Sequence, residues 1–176
     1  MIMRANWPQQ PTRPKRRAAE RQRRWADTMV DPQHAKLVLV TGTGDDAIVE
    51  TPWAFPVGPS HFRLDNIPFY AYGLSLDDIV EATLEPGDPR PHFRRVVAKS
   101  GNRTLRVIAD DGAPRVPQVL LDEIVALGCS YTGATPRYIC INIPPSATFD
   151  SVVAALDTSQ LQWEHADPTY DQLHPE

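Results

Sequence analysis

The sequence has only 2 cysteines, Cys129 and Cys140, and it has no long apolar run. Two thiols are too few for a cysteine metal cluster or for the disulfide framework of a small secreted domain, so reduced thiols are expected. No stretch reaches the roughly 18 consecutive apolar residues that a membrane-spanning helix needs, and the first residues lack the apolar segment of a secretory signal. These absences predict a soluble cytoplasmic protein.

The sequence also lacks the common phosphate-binding and metal-binding patterns. The stretch GTGDD at residues 42–46 follows a predicted strand, but a Walker loop needs a second glycine followed by Lys-Ser/Thr, and a dinucleotide fingerprint needs G-x-G-x-x-G. The two aspartates would repel phosphate, so a hairpin turn is predicted. His61 and His92 each precede a phenylalanine, in strands that could be neighbours, but no third ligand lies nearby in sequence. We therefore predict no metal site and no cofactor.

Charge is distributed unevenly along the 176 residues. Residues 1–28 carry 8 basic and 2 acidic side chains, while the rest of the chain carries 10 basic and 20 acidic ones, a formal charge of −10. A basic groove for nucleic acid is therefore not expected in the acidic body.

Residues 1–34 are rich in Pro, Gln and Arg, a composition that predicts a disordered basic arm. Its segment KRRAAERQRRW could touch RNA, DNA or anionic lipid, although a solvated extension is the commoner case. A second interpretation starts from Met29, because MVDPQHAKLVLV has the form of a natural beginning. In that case the arm has no function.

Residues 35–101 are predicted to form an antiparallel β module. Short apolar or alternating runs are separated by turns that contain Gly or Pro, a pattern typical of strands. The connections are too short for helices, which favours a barrel or a strongly curled sheet. The predicted strands are residues 36–42, 47–57, 61–67, 78–85 and 92–100.

Residues 102–166 are predicted to form a second module with the element order βαββαβ. The strand RTLRVIADD precedes a helix that starts near Pro117 and ends at Gly128. The strands CSYTG and RYICINIP flank GATP, Thr148 is the expected N-cap of a second helix, and LQWEHAD is the last strand. This is the order of the ferredoxin-like split βαβ. The predicted fold class is therefore α+β, a small antiparallel β-barrel-like module followed by a ferredoxin-like module, with a frayed tail at residues 167–176.

The stretch RLDNIPFYAYGLSLDDIVEA, residues 63–82, carries a resemblance to a known family. Together with FRRVVAKSGNRTLRV and with LGC after the first helix, it resembles an uncharacterised bacterial family, the domain of unknown function 4265. The resemblance covers about Lys36 to Trp163. It implies a small bacterial cytoplasmic protein with no established activity, cofactor or catalytic residue to carry over, so it leaves the function open.

The same stretch contains most of the candidate binding residues. Phe69 is expected to plug the core, whereas Tyr70 and Tyr72 carry hydroxyls that need a partner or water. We predict that these tyrosines sit at the rim of a modest binding surface where the two modules meet, a common location for sites. The full set of candidates for ligand or partner binding is Asp65, Asn66, Tyr70, Tyr72 and Arg95.

No catalytic residue is predicted. Adjacent carboxylates such as Asp77 and Asp78 point to opposite faces of a strand, so only one of them could face a site. Counting outward from GATP places Cys129 opposite Cys140 across a hairpin. The two thiols could be a redox-sensitive pair, but two small buried hydrophobic residues are the commoner case.

The sequence favours a non-catalytic binding or regulatory module that takes a small ligand or a protein partner. One alternative is an acidic protein that neutralises a basic toxin, as an immunity protein does. Another is an unrecognised small enzyme that uses Asp65, Asn66, the two tyrosines and Arg95. Nucleic acid is expected to bind only through the basic arm, and no membrane partner is expected.

Overall fold

The computed structural model describes residues 34–110 and 112–175. The basic arm predicted at residues 1–34 and the alternative start at Met29 therefore lie outside the described residues, except for His34. In the described part, antiparallel sheets dominate and a few helices complete an α+β architecture. In these same residues, no helix is both long and apolar enough to cross a membrane.

The first half of the described chain is built from strands. Five of them form an antiparallel sheet, the first sheet, in the order β1-β4-β5-β6-β7, while β2 and β3 form a separate hairpin around the GTGDD turn. Their bounds are β1 Ala35–Lys36, β2 Leu39–Thr41, β3 Ile48–Glu50, β4 Trp53–Pro56, β5 His61–Leu64, β6 Ile79–Glu85 and β7 Asp88–Ala98.

The two edges of the first sheet approach each other, but the sheet does not close into a barrel. Val38 forms an isolated parallel bridge with His92 of β7, and its N–H donates to the Pro91 carbonyl at 2.8 Å. After Val38 the chain moves away from β7 and continues as β2, which pairs with β3. The described strands therefore form no closed barrel, which corrects the barrel-like prediction: a single bridge joins the two edges, since the residues that follow Val38 pair with β3.

Prolines explain where the observed strands depart from the predicted ones. The run 47–57 is divided into β3 and β4 at Thr51–Pro52, because proline has no N–H for a ladder. By contrast, β7 is longer than predicted at its start. It begins at Asp88 rather than at residue 92, since Glu85 pairs with Asp88 across a tight turn. Pro89 and Pro91 are tolerated in β7 because it is an edge strand.

The second half has the element order βαββαβ that the sequence predicts, followed by one helical turn. Its four strands form an antiparallel sheet, the second sheet, in the order β11-β8-β10-β9. The elements are β8 Arg103–Ile108, α1 Gln118–Ala126, β9 Ser130–Thr135, β10 Tyr138–Ile143, α2 Phe149–Ser159, β11 Gln162–Asp167 and α3 Tyr170–Leu173.

The two faces of the second sheet differ in chemistry. Leu105 and Val107 of β8 share one buried core with residues of both long helices, including Ile124 and Leu156. The alternate residues of the sheet face the other way and are polar, yet several of them are buried, including Thr104, Arg106 and Asn142. A buried polar face needs partners, and a loop from the first half of the chain supplies them to Thr104 and Arg106, whereas the Oδ1 of Asn142 has none among the described residues.

The tail at residues 167–176, predicted to fray, holds α3 instead. The Thr169 hydroxyl accepts a hydrogen bond from the Gln172 N–H at 3.4 Å, and the Gln172 side chain accepts one from the Thr169 N–H at 2.9 Å. The Tyr170 ring also lies 6.1 Å from the His165 ring of β11. This capping box satisfies backbone donors that a frayed end would leave to water.

Candidate functional site

The connection between β5 and β6, residues 65–78, crosses the polar face of the second sheet; we call it the seam loop. The Tyr138 hydroxyl donates to the Phe69 carbonyl at 2.6 Å, and the Gly73 N–H donates to the Ala166 carbonyl at 2.8 Å. Gly73 has φ +70°, a left-handed conformation that glycine adopts without strain. The seam loop is therefore where the two sheets meet.

Glu50, at the end of β3, holds the middle of the seam loop. Its Oε1 accepts from the N–H groups of Tyr70 at 3.1 Å and Ala71 at 2.7 Å, and its Oε2 accepts from the N–H of Phe69 at 2.7 Å. Three consecutive backbone donors thus converge on one carboxylate. This arrangement turns their carbonyls toward the second sheet, where Tyr138 and Arg106 donate to them.

A charged cluster closes the far end of the seam loop. The Lys99 Nζ lies 2.8 Å from Asp78 Oδ2 and 2.5 Å from Asp167 Oδ2, and these two carboxylates are 0% and 2% exposed. The Ser75 hydroxyl donates to Asp167 at 2.5 Å, and the N–H groups of Ser75 and Ser100 donate to Asp78. One lysine therefore serves two buried carboxylates, one from each half of the chain.

Arg106 lies at the centre of the seam and is only 3% exposed. Its guanidinium donates to the Ala71 carbonyl at 2.5 Å and to Glu164 at 3.1 Å, and it lies 4.3 Å from the centre of the Tyr72 ring. The Nε of Arg106 has no hydrogen-bond partner among the described residues. The guanidinium thus joins the seam loop to β8 and β11.

Two open grooves meet beside Arg106, and both are lined by Trp163 and Glu164. The larger groove, of about 630 Å³, is also lined by Tyr72, His165, Tyr170 and Asp171. The smaller groove, of about 270 Å³, is also lined by Arg106, Ile108, Tyr138 and Gln162. Both grooves expose aromatic and charged groups on the surface beside the seam.

Of the five predicted site residues, Tyr72 lines the larger groove, and Tyr70 lies against Tyr138, a residue that lines the smaller one. Tyr72 is 51% exposed and donates its hydroxyl to Glu164 Oε2 at 2.9 Å. Tyr70 stacks on Tyr138 with ring centres 5.9 Å apart. Phe69, predicted to plug the core, is only half-buried, whereas its neighbours Ile67 and Pro68 are buried.

The other three predicted residues lie apart from the grooves. Asp65 bonds His34 at 2.9 Å, and the Asn66 Oδ1 accepts from the N–H of Trp53 at 2.7 Å, so both face β4. Arg95 is an exposed residue of β7 that pairs with Glu81 of β6 at 2.7 Å. The five residues therefore do not form the single constellation that the enzyme alternative requires.

The candidate residues chosen from the sequence did not include Arg106, Tyr138, Trp163 or Glu164. A signal for one of them was present, because Arg106 interrupts the apolar strand LRVI at the position opposite to Leu105 and Val107. A charged residue at such a position needs a buried partner or an exposed face, and the sequence does not reveal which. Glu164 gave no comparable signal.

The phenols of Tyr72 and Tyr138 and the thiol of Cys140, all near the seam, are held in their neutral forms. Burial and the neighbouring Glu164 carboxylate raise the pKa of the Tyr72 hydroxyl, and burial raises the pKa of Tyr138. Burial also raises the pKa of the Cys140 thiol to about 12, against the opposing effect of Arg106. Protonated thiols and phenols are poor nucleophiles and bases at neutral pH.

The histidines predicted as potential metal ligands are not neighbours. His61 lies on β5 and His92 on β7, and β6 runs between these two strands. His92 instead lies 3.2 Å from Asp88 and 3.6 Å from Glu85. Over the described ranges, no group of three or more His, Cys, Asp or Glu side chains is placed to hold a metal ion.

The two cysteines are free and buried, but the predicted cross-strand pairing is wrong. Cys140 pairs with Thr132, because the hairpin turns at Pro136–Arg137 and a bulge shifts the register beside Tyr138. Cys129 belongs to the core under the helices, whereas the Cys140 Sγ lies 3.8 Å from the Pro68 carbonyl on the opposite face.

We expect both thiols to resist alkylation in the native protein. Burial raises the pKa of each thiol, so iodoacetamide at pH 8 should modify neither cysteine until the protein is unfolded. Intact mass spectrometry before and after unfolding measures this, with Ser130→Cys as an exposed reactive control. Rapid native labelling of Cys140, or a native mass two hydrogens short of the reduced chain, would contradict the expectation.

Comparison with known proteins gives a family and a fold. A family model described as "Domain of unknown function (DUF4265)" matches residues 50–165, which include the seam loop and most of both sheets. The structure is similar to that titled "Novel crystal structure of a hypothetical protein from Neisseria gonorrhoeae", with a TM-score of 0.66, 23% identity, and coverage of 75% of this chain and 93% of that chain. At this identity the likeness shows the fold alone. No curated protein matches the chain. Because the family model spans more than half of the sequence and agrees with the resemblance carried by residues 63–82, the chain belongs to the domain of unknown function family DUF4265.

Proposed function

We propose that this protein is a non-catalytic binding module and that its ligand occupies the grooves beside the seam loop. The observation that carries the proposal is that two open grooves converge on one aromatic side chain and one carboxylate, Trp163 and Glu164. Aromatic surface with a few convergent polar groups is the usual lining of a ligand site. The neutral forms of Tyr138 and Cys140 favour binding over catalysis.

Two further inferences accompany this function. The strand order β11-β8-β10-β9, with both long helices in the core on one face, supports a ferredoxin-like arrangement of the second half. Two free buried thiols support a reducing compartment such as the bacterial cytoplasm.

The test is a screen of small cationic, anionic and neutral aromatic compounds by protein-observed NMR. Compounds that bind should shift the amide signals of β11 and α3 and leave those of α1 unchanged. The screen should use each compound at about 1 mM, because first ligands of an open groove bind weakly.

A matched pair of tryptophan variants locates the binding. Trp163→Leu removes the ring shared by both grooves, and we expect binding to weaken at least about 5-fold, since one aromatic contact is worth roughly 1 kcal/mol. Trp53→Leu, which removes a half-exposed tryptophan from the first sheet, should leave the affinity unchanged. If no compound shifts the signals of β11 and α3, the proposal is overturned.

A further inference from the structure

We propose that the larger groove recognises a guanidinium group, so that the ligand of the binding site above is a molecule that carries one. This inference rests on the proposed function and gives it a chemical class. The lining residues that the structure describes include the aromatic residues Tyr72, Trp163 and Tyr170 and the acidic residues Glu164 and Asp171, but no lysine or arginine. Rings beside carboxylates are the surroundings that a planar cation prefers.

The carboxylates of the groove are not equivalent. Glu164 is already engaged, since it accepts hydrogen bonds from Tyr72 and Arg106. Asp171 is exposed, and within the described ranges it has no hydrogen-bond or ion-pair partner. A guanidinium presents a fork of N–H donors that matches a carboxylate, so Asp171 is the group that would pair with it.

The rings of the groove are available for stacking. Tyr170 is 61% exposed and Tyr72 is 51% exposed. His165 lies between the Trp163 and Tyr170 rings, and burial, His174 and Arg103 lower its pKa, so it adds no positive charge at neutral pH. Arg106 covers one face of the Tyr72 ring and His174 lies 4.4 Å from the Tyr170 ring. The groove therefore offers the remaining exposed ring surface, and no lysine or arginine is among its described lining residues.

The protein already stacks guanidinium groups on rings beside this groove. Arg106 lies 4.3 Å from the centre of the Tyr72 ring, and Arg103 lies 4.5 Å from that of Phe149. Neither arginine lines the larger groove itself. A third guanidinium over Trp163 or Tyr170 would repeat a contact that the second sheet makes once on each of its faces.

Size and overall charge agree with this ligand class. A volume of about 630 Å³ suits a small organic molecule or a single side chain with its flanking backbone. Outside residues 1–28 the chain has a formal charge of −10, which attracts cations over long range.

The test compares argininamide with citrullinamide, in which a neutral ureido group replaces the guanidinium at nearly the same shape. Titration of the full chain, followed by the NMR signals of β11 and α3, gives both affinities. We expect argininamide to bind at least about 5-fold more tightly, because citrullinamide loses both the ion pair and the cation–π contact.

Two pairs of variants place the guanidinium in the groove. Asp171→Asn and Tyr170→Leu should each weaken argininamide at least about 5-fold. Asp45→Asn, which removes an exposed carboxylate from the β2–β3 turn, and Tyr131→Leu on β9 should leave its affinity unchanged. Thermal unfolding of each variant confirms that the fold is retained.

The outcomes separate this inference from the function on which it rests. Equal binding of argininamide and citrullinamide, or groove signals that respond only to anionic or neutral compounds, would overturn the guanidinium assignment and leave the binding function standing. No response to any compound would overturn both.

The source of the guanidinium is tested with the peptide acetyl-Gly-Arg-Gly-amide. Tighter binding of this peptide than of argininamide would indicate an arginine presented by a protein, and weaker binding would indicate a free small molecule. A gain in argininamide affinity in a chain that begins at Met29 would identify the arginines of residues 1–28 as competitors for the same groove.

Discussion

Replacing Lys99 with methionine is expected to lower the free energy of unfolding by about 3 kcal/mol, because it leaves two buried carboxylates without their shared counter-charge. Asp78 and Asp167 are almost wholly inaccessible to water, and the Lys99 Nζ contacts both. Removal of one partner from a buried ion pair typically costs about 3–5 kcal/mol. We expect the lower end of that range because the lysine side chain itself is 45% exposed.

Urea denaturation measures the effect, and Arg95→Met is the matched control. Arg95 forms an exposed pair with Glu81, so its removal should cost less than about 1 kcal/mol. In an Asp167→Asn background, Lys99→Met should cost roughly half as much, since only one buried carboxylate then remains charged. Equal losses in Lys99→Met and Arg95→Met would show that the cluster contributes nothing beyond a surface ion pair.

The second large effect is expected at Glu50. Glu50→Ala should lower the free energy of unfolding by about 3 kcal/mol, because three backbone N–H groups of the seam loop lose one charged acceptor. Each such bond alone is worth about 1.5–3 kcal/mol, but water can reach the exposed N–H of Tyr70 and replace part of the loss.

Hydrogen exchange distinguishes this effect from general destabilisation. The amide protons of residues 69–71 should exchange faster in Glu50→Ala than in wild type. The exchange rates of the α1 amide protons should change only as far as the free energy of global unfolding changes. Glu81→Ala provides the control, because it removes a carboxylate that pairs with an exposed arginine at the surface of the first sheet. Unchanged protection of residues 69–71 would mean that other contacts hold the seam loop in place.

Local patterns were sufficient to predict the second half of the fold. The helix α1 was foreseen because Pro117 and Gly128 mark its ends and its apolar residues recur at helical spacing. The alternation of side chains along β8 and β10 likewise distinguished the residues of the core face from those of the polar face. These signals work because each depends on residues within a few positions of one another.

The candidate site depends on contacts that no local pattern encodes. Glu50 reaches backbone groups some twenty residues later, and Arg106 reaches a carbonyl 35 residues earlier. Tyr70 and Tyr72 could be selected because they lie in the unusual stretch at residues 63–82. Glu164 could not, because its sequence context is that of an ordinary surface glutamate in the last strand. The misplaced cysteine pair has a different origin: the hairpin turns at Pro136–Arg137 and not between Ala134 and Thr135, and the position of the turn sets every partner along a hairpin.

The position of Glu164 has a consequence for how binding and folding are related. The same carboxylate forms a wall of both grooves and holds Arg106, which in turn donates to the seam loop. A ligand that draws Glu164 away from Arg106 weakens the contact of β8 with that loop, and a ligand that binds more tightly when the Glu164–Arg106 contact is formed stabilises it. Occupancy of the grooves and docking of the two sheets are thus linked equilibria, and each must bias the other by the same free energy.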